Sequence, residues 1–320
     1  MAKRRSLEER LTKLKELEKL PVSATTFAEL RLALAGSSNI TTAKAANIAA
    51  QLGLKDLSSD VASSFDRFME NAVKTDPGCR AKLAAVEALN TLGHEDVQLF
   101  LRGIRHVQME PSFGPPVDTA DTLRGACAFA LYRLGYPELF NEVAALLADR
   151  QSAARRAAVR VLLETANDTA EALLRMKVLH GDKEPDVMAD CFAALLAMSP
   201  TRSLQFVAGF LTGQDPLTVE DAALALGNSR TEQAVEILRE HREKSFSPQF
   251  KRMLLLPIAL TRRYKAFDLL VNVVEKEPQA DAIASLKALV ICTDTDRRRD
   301  RVRMAAMSRN DPVIVKAFEK

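Results

Sequence analysis

The sequence predicts an all-α fold built from one helical unit used repeatedly, and three observations carry that expectation. The 47% of apolar residues are mostly Ala and Leu, aromatics are 5% and Trp is absent. Ala and Leu are the strongest apolar helix formers, while the β-branched and aromatic residues that favour strands are thin. Ala-rich stretches recur and end at regular intervals, and helix start and stop residues bracket them.

The recurrence is visible in the residues. Ala43–Gly53, Ala84–Gly93 and Ala126–Gly135 share Ala and Leu at helical spacing and close on Leu-Gly or its equivalent. Weaker copies run through Arg156–Leu163, Asp190–Leu196, Asp221–Gly227 and Ala282–Leu289. The ends fall near residues 53, 93, 135, 166, 199, 229, 262 and 292, spaced by roughly 30 to 42 residues. Two helices of ten to fourteen residues plus turns need about thirty residues, so each interval is one helical hairpin. Second helices are expected at 95–105, 137–147, 168–179 and 231–242.

Boundary residues agree. Asp76-Pro77, Asp215-Pro216 and Asp311-Pro312 place an N-cap residue before a Pro at the first helical position. Thr26 with Glu29, and Asp168 with Glu171, have capping-box spacing. Gly53, Gly93 and Gly135 stand where a C-terminal cap is wanted. Pro257 falls mid-helix in the repeat that begins at Ser247-Pro248 and predicts a kink.

Two segments depart from the rhythm. Residues 1–21 hold a charged amphipathic helix that begins at Ser6 with Glu9 and lines up Leu7, Leu11, Leu14, Leu17 and Leu20. It reads either as a cap on the first repeat or as a helix that pairs with a partner. At 107–122 a stretch with Pro111, Gly114, Pro115 and Pro116 forbids regular helix. It is either a surface crossover with Phe113 tucked beneath it or a binding loop over the concave face.

Composition narrows the function. The longest apolar stretches are about eight residues against the roughly twenty a bilayer needs, so no membrane partner is expected. The opening Lys3-Arg4-Arg5 leads into charged helix where a secretory signal would need an apolar run. Cys79, Cys127, Cys191 and Cys292 are far apart, without C-x-x-C spacing, and read as reduced core thiols of a cytoplasmic protein. The formal charge of +3 conceals an asymmetry: residues 239–320 carry eighteen Lys/Arg against eleven Asp/Glu, and residues 1–238 carry 27 against 31.

The phrase of an Asp-containing turn, an Arg, an Ala-rich helix and Leu-Gly resembles the HEAT family, especially its bacterial phycobilisome-lyase-like branch. Asp76-Pro77-Gly78-Cys79-Arg80 leading to Leu92-Gly93 shows it, as does Asp121-Thr122-Leu123-Arg124 leading to Leu134-Gly135. The resemblance implies a right-handed α-solenoid of HEAT-like hairpins, about eight over 22–320. It leaves function open, since the family holds scaffolds, chromophore lyases, hydroxylases and nucleic-acid enzymes. A di-iron hydroxylase would need several His-Glu pairs, and only His94-Glu95 is present among His94, His106, His180 and His241. A HEAT-type DNA glycosylase would use aromatics beside an acid, yet Tyr is confined to Tyr132, Tyr136 and Tyr264. No phosphate loop, nucleophile elbow or zinc spacing is present.

The expectation is therefore a non-catalytic scaffold, without cofactor, that holds a protein partner on its concave wall. Candidate contacts are Phe113, Arg124, Arg155, Arg156, Arg252, Arg297, Arg298 and Arg299, with Arg80, Glu87, Arg160 and Glu220 beside them. Any of these charges could equally be a solvated helix face or an internal ion pair. The Arg clusters near the C-terminus could serve an acidic protein, or nucleic acid in the alternative reading, or pair with Asp294, Asp296 and Asp300.

Overall fold

Ser6 opens the first helix with a complete capping box to Glu9. From there a computed structural model describes residues 6–293 and 295–319. Lys3, Arg4, Arg5 and Asp294 lie outside the described residues. The chain divides into two compact units that meet in sequence at Thr165 and Ala166.

The first unit runs α1 (Leu7–Leu17), α2 (Ala24–Leu34), α3 (Asn39–Gln51), α4 (Ser58–Met69), α5 (Ala72–Thr75), α6 (Arg80–Leu92), α7 (Val97–Ile104), β1 (Met109–Glu110), β2 (Val117–Asp118), α8 (Asp121–Arg133), α9 (Leu139–Leu147) and α10 (Ser152–Thr165). The Ala-rich helices form an inner row in which α3 packs on α6, α6 on α8 and α8 on α10. Outer helices α2, α4, α7 and α9 cover that row, and α1 lies across α2 and α3 with Leu14 and Leu17 buried.

The second unit repeats the plan with α11 (Asp168–His180), α12 (Pro185–Met198), α13 (Pro200–Ala208), α14 (Pro216–Asn228), α15 (Glu232–Lys244), α16 (Pro248–Met253), α17 (Leu255–Leu260), α18 (Tyr264–Lys276), α19 (Gln279–Leu289), α20 (Asp296–Ser308) and α21 (Pro312–Phe318). Its inner row is α12, α14, α17, α19 and α21, each packed on the next. The fold is thus an all-α solenoid of stacked hairpins, and its inner helices end within three residues of the ends read from the sequence. Packing sustains these helices: α7 has only eight residues, too few to be stable alone, and buries Leu99, Phe100, Leu101 and Ile104. At about 1.5–3 kcal/mol for each such side chain, burial outweighs the marginal cost of forming the helix.

The boundaries follow local chemistry. Gly53, Gly93 and Gly135 all take positive φ, and the N–H of the next residue reaches back to Ala49, Leu89 and Leu131 respectively, the Schellman pattern. Asp215 and Asp311 cap α14 and α21 as expected. Two boxes shift. Ser23 caps α2 with Thr26 as its box partner, and Asn167 caps α11, leaving Asp168 and Glu171 inside the first turn. The expected kink is present as the break between α16 and α17. The Pro257 ring would clash with the carbonyl of Met253, four residues back, and α16 ends at that residue.

Gly227 lies inside α14, which ends at Asn228, and packs against α17. A Cβ there would stand 2.4 Å from the Pro257 carbonyl oxygen. The glycine lets the kinked backbone approach where any side chain would hold it off.

Candidate functional site

Residues 107–120 form a β-hairpin, not an irregular loop, and the last two residues of the expected non-helical stretch, Asp121 and Thr122, already belong to α8. β1 and β2 pair antiparallel, Met109 opposite Asp118 and Glu110 opposite Val117. Phe113 stands at its tip, fully exposed, so it is not tucked beneath the segment. Val107, Met109 and Val117 are also exposed, as is Val73 of α5, and a cleft of about 290 Å³ runs between residues 71–74 and 106–109.

Beneath that apolar tip the base is polar, buried and fully engaged. Gln108 donates from its backbone to Asp118 Oδ1 (3.0 Å), and from Nε2 to the Asp76 carbonyl (2.9 Å) and Glu110 Oε1 (2.5 Å). Glu110 Oε1 also accepts from Gly78 N (2.7 Å) and Thr119 Oγ1 (2.8 Å). Burial opposes ionisation of Glu110, but these donors outweigh it and hold the carboxyl below its ordinary value. Asp118 is lowered in the same way, burial being overcome by N–H groups of Gln108 and Ala120 and by Arg124. His106, half-buried beside Gln108, is pushed down by burial.

Arg124 is the keystone of the network. It is 3% exposed, pairs with Asp118 (2.8 Å) and bidentately with Asp149 (2.8 and 2.9 Å), and donates to the His106 carbonyl (2.9 Å). Burial pushes against its charge, yet the two carboxylates keep it raised. The candidate contact is thus an internal fastener, because Asp118 and Asp149 reach it across the turn. Arg155 is buried too and donates to the carbonyls of Asp149 and Arg150 (2.8 and 3.1 Å), so both arginines converge on the end of α9. Arg156, beside them in sequence, is half-buried.

A second engaged group was not legible as a site. Asp76 and Lys82 are completely buried, 3.0 Å apart, and Asp76 also accepts from Asn39 and from the backbone of Ala81 and Lys82. The Asp-Pro cap therefore doubles as the partner of a core lysine.

The basic C-terminal region resolves into internal roles as well. Arg298 and Arg301 both lie over the Phe267 ring, 5.2 and 5.1 Å from its centre, and Arg301 pairs with Asp268 (2.9 Å). Arg242 is buried against Glu277. Arg252, half-buried, faces the buried Asp281 across 3.6 Å, and Arg299 faces Asp296 across 3.4 Å, an exposed pair. Arg67, Arg133, Arg263 and Arg309 each donate to carbonyls at a helix end one repeat earlier: Leu34, His94, Arg230 and Glu277. Such donors satisfy orphan C-terminal carbonyls and answer the helix dipole. Arg297 is exposed, with no ion pair or hydrogen bond among the described residues.

Between α19, α20 and α21 lies a half-open groove of about 860 Å³. Leu286, Leu289 and Val302 form its buried floor, Val290 and Val313 stand exposed on it, and Lys287, Arg299 and Lys316 rim it. All four cysteines are buried; burial raises Cys79 to about 11 and Cys191 to about 12, which suppresses thiolate at neutral pH. Among the described residues no three His, Cys, Asp or Glu gather to hold a metal, and no helix is long and apolar enough to cross a membrane.

The PBS lyase HEAT-like repeat matches residues 220–242, the greater part of α14 and α15. One hairpin of the chain, α14 with α15, thus matches the HEAT-like repeat. No curated protein matches it. Among solved structures, the chain is similar to the complex of CpcE and CpcF of phycocyanin lyase from Nostoc sp. PCC7120, at 15% identity and a TM-score of 0.36, covering 77% of this chain and 91% of that one. Human deoxyhypusine hydroxylase in complex with glycerol gives 15% identity and 0.31, covering 81% and 91%. An engineered protein gives 14% and 0.34, covering 99% and 95%.

Proposed function

We propose that this HEAT-like protein is a non-catalytic, cytoplasmic scaffold that holds a protein partner along its inner helices, with the hairpin at 107–120 as the principal contact. The observation that carries this reading is the contrast within the hairpin: a fully exposed Phe113 on a base locked by Gln108, Glu110, Asp118 and Arg124. An aromatic displayed on a rigid support loses little conformational freedom when it is buried by a partner, and such residues dominate binding energy. The buried, protonated thiols and the separated histidines supply no activated nucleophile or ligand set, which favours recognition over chemistry.

Affinity capture from an extract of the source organism tests it, with wild type, Phe113→Ala and Phe246→Ala compared. Phe246 is equally exposed but lies in the connection between α15 and α16. Recovery of one protein should drop by an order of magnitude or more with Phe113→Ala alone, a loss of about 2 kcal/mol. Identical recovery with all three baits would refute the hairpin contact. The nucleic-acid alternative is weakened by the internal roles of Arg242, Arg252, Arg263, Arg298, Arg301 and Arg309. If duplex DNA nonetheless bound with affinity falling steeply in salt, and Arg297→Ala weakened it, that alternative would stand instead.

A further inference from the structure

The groove between α19, α20 and α21 is a different surface from the hairpin, and its chemistry selects an occupant. Its floor is aliphatic, and Val290 and Val313 stand 75% and 51% exposed on it. Contiguous exposed apolar surface of this kind marks a binding site. Each of the three helices contributes one cation to the lining, Lys287 from α19, Arg299 from α20 and Lys316 from α21, and no described carboxylate lines it. Lys287 and Lys316 make no ion pair or hydrogen bond among the described residues, and Arg299 has only its exposed 3.4 Å contact with Asp296. A cationic rim with no carboxylate among the described lining residues, around an aliphatic floor, is complementary to an amphipathic segment with acidic flanks.

We propose that this groove docks an acidic amphipathic helix of a partner protein, its apolar stripe on Leu286, Val290, Val302 and Val313 and its carboxylates on Lys287, Arg299 and Lys316. Apolar residues at i, i+3 or i+4, and i+7 would fill the groove in the helix-in-groove mode. Nucleic acid fits worse, because the only aromatic in the lining is Phe318 and an aliphatic floor offers bases no stacking platform. A membrane fits worse because the apolar surface is recessed between helices, whereas interfacial helices insert a protruding apolar face.

The test is fluorescence anisotropy of the intact protein with three labelled peptides of about fifteen residues, long enough for helix to form on the surface. One carries a Leu stripe flanked by Glu, the second the same stripe flanked by Lys, and the third the Glu composition with the stripe scrambled. The first should bind at least tenfold more tightly than either of the others. Val290→Asp should weaken it at least tenfold, and Lys287→Glu with Lys316→Glu should reverse the preference between the charged peptides. Val290 is on the surface, and far-UV circular dichroism checks both variants; should Val290→Asp misfold, the charge-reversal pair still decides. Phe113→Ala should leave this binding unchanged, which separates it from the hairpin reading.

Equal binding of all three peptides, or insensitivity to both variants, overturns the proposal. So does tighter competition by a DNA duplex, by phosphatidylserine vesicles or by oleate. Self-association in sedimentation that is lost with Val290→Asp, with no peptide binding, overturns it in favour of a second copy as the occupant.

Discussion

Asp76 and Lys82 hold each other in the core with no access to water, and removing one charge strands the other. Lys82→Met should therefore destabilise the protein by about 3–5 kcal/mol in urea denaturation. A loss under about 1 kcal/mol would mean that water reaches the pair. Asp221 behaves oppositely. Burial, with repulsion from Glu220, Asp186 and Asp215, raises its carboxyl to about 6. The folded state thus binds this proton more tightly than the unfolded chain. The stabilisation is complete below about pH 4 and is lost as pH rises through 6. Asp221→Asn should gain about 1 kcal/mol at pH 7 and nothing at pH 4, a figure discounted for partial exposure. Thermal melts at the two pH values check it, and a gain that is equal at both would contradict the assignment. Residues such as Lys82 and Arg124 were illegible in the sequence for a physical reason. A charge within an Ala-rich helix reads as surface unless its counter-charge is visible, and Asp149 lies 25 residues beyond Arg124.

At the scale of elements, helices were legible because propensity, capping and apolar spacing agree, as at Asp215-Pro216 and at Leu92-Gly93. The hairpin was legible only as a break. Strands of two residues are too short to show alternation, and the prolines speak only against helix. The groove was equally hidden, since Val290 and Val313 look like core positions until the neighbours that leave them uncovered are known. Gly227 teaches the same lesson: the sequence places it in an Ala-rich helix without a reason for a glycine, and tertiary contact with α17 supplies one. Gly227→Ala should cost about 1–3 kcal/mol by forcing α14 and α17 apart. Gly53→Ala, in open space at positive φ, should cost about 1 kcal/mol. Comparison of the two melting temperatures tests this, and the larger loss at Gly53 would contradict the close approach.

For the whole molecule, stacking in which each hairpin contacts its neighbours within a unit confines damage. The Lys82 network lies in the first unit and the Gly227 contact in the second, with no shared partner. Their destabilisations should add within about 0.5 kcal/mol. Hydrogen exchange should show Lys82→Met accelerating amides of α4 and α6 while those of α18 and α19 keep their wild-type rates. Uniform acceleration throughout would mean that the chain melts as one cooperative body.

The hairpin divides its own sequence into a part that is fixed and a part that is at liberty. Gln108, Glu110 and Asp118 are bound to α8 and to the turn before α6, and Thr119 bonds to Gln108 and Glu110, so drift there would loosen the turn. The residues between Glu110 and Val117 are all exposed, and the hydrogen bonds of the Ser112 side chain stay within the tip, donated to the Pro115 carbonyl and accepted from Gly114 N. Lineages could therefore re-specify the tip without endangering the fold, and an experimenter could graft a foreign recognition sequence at the same place.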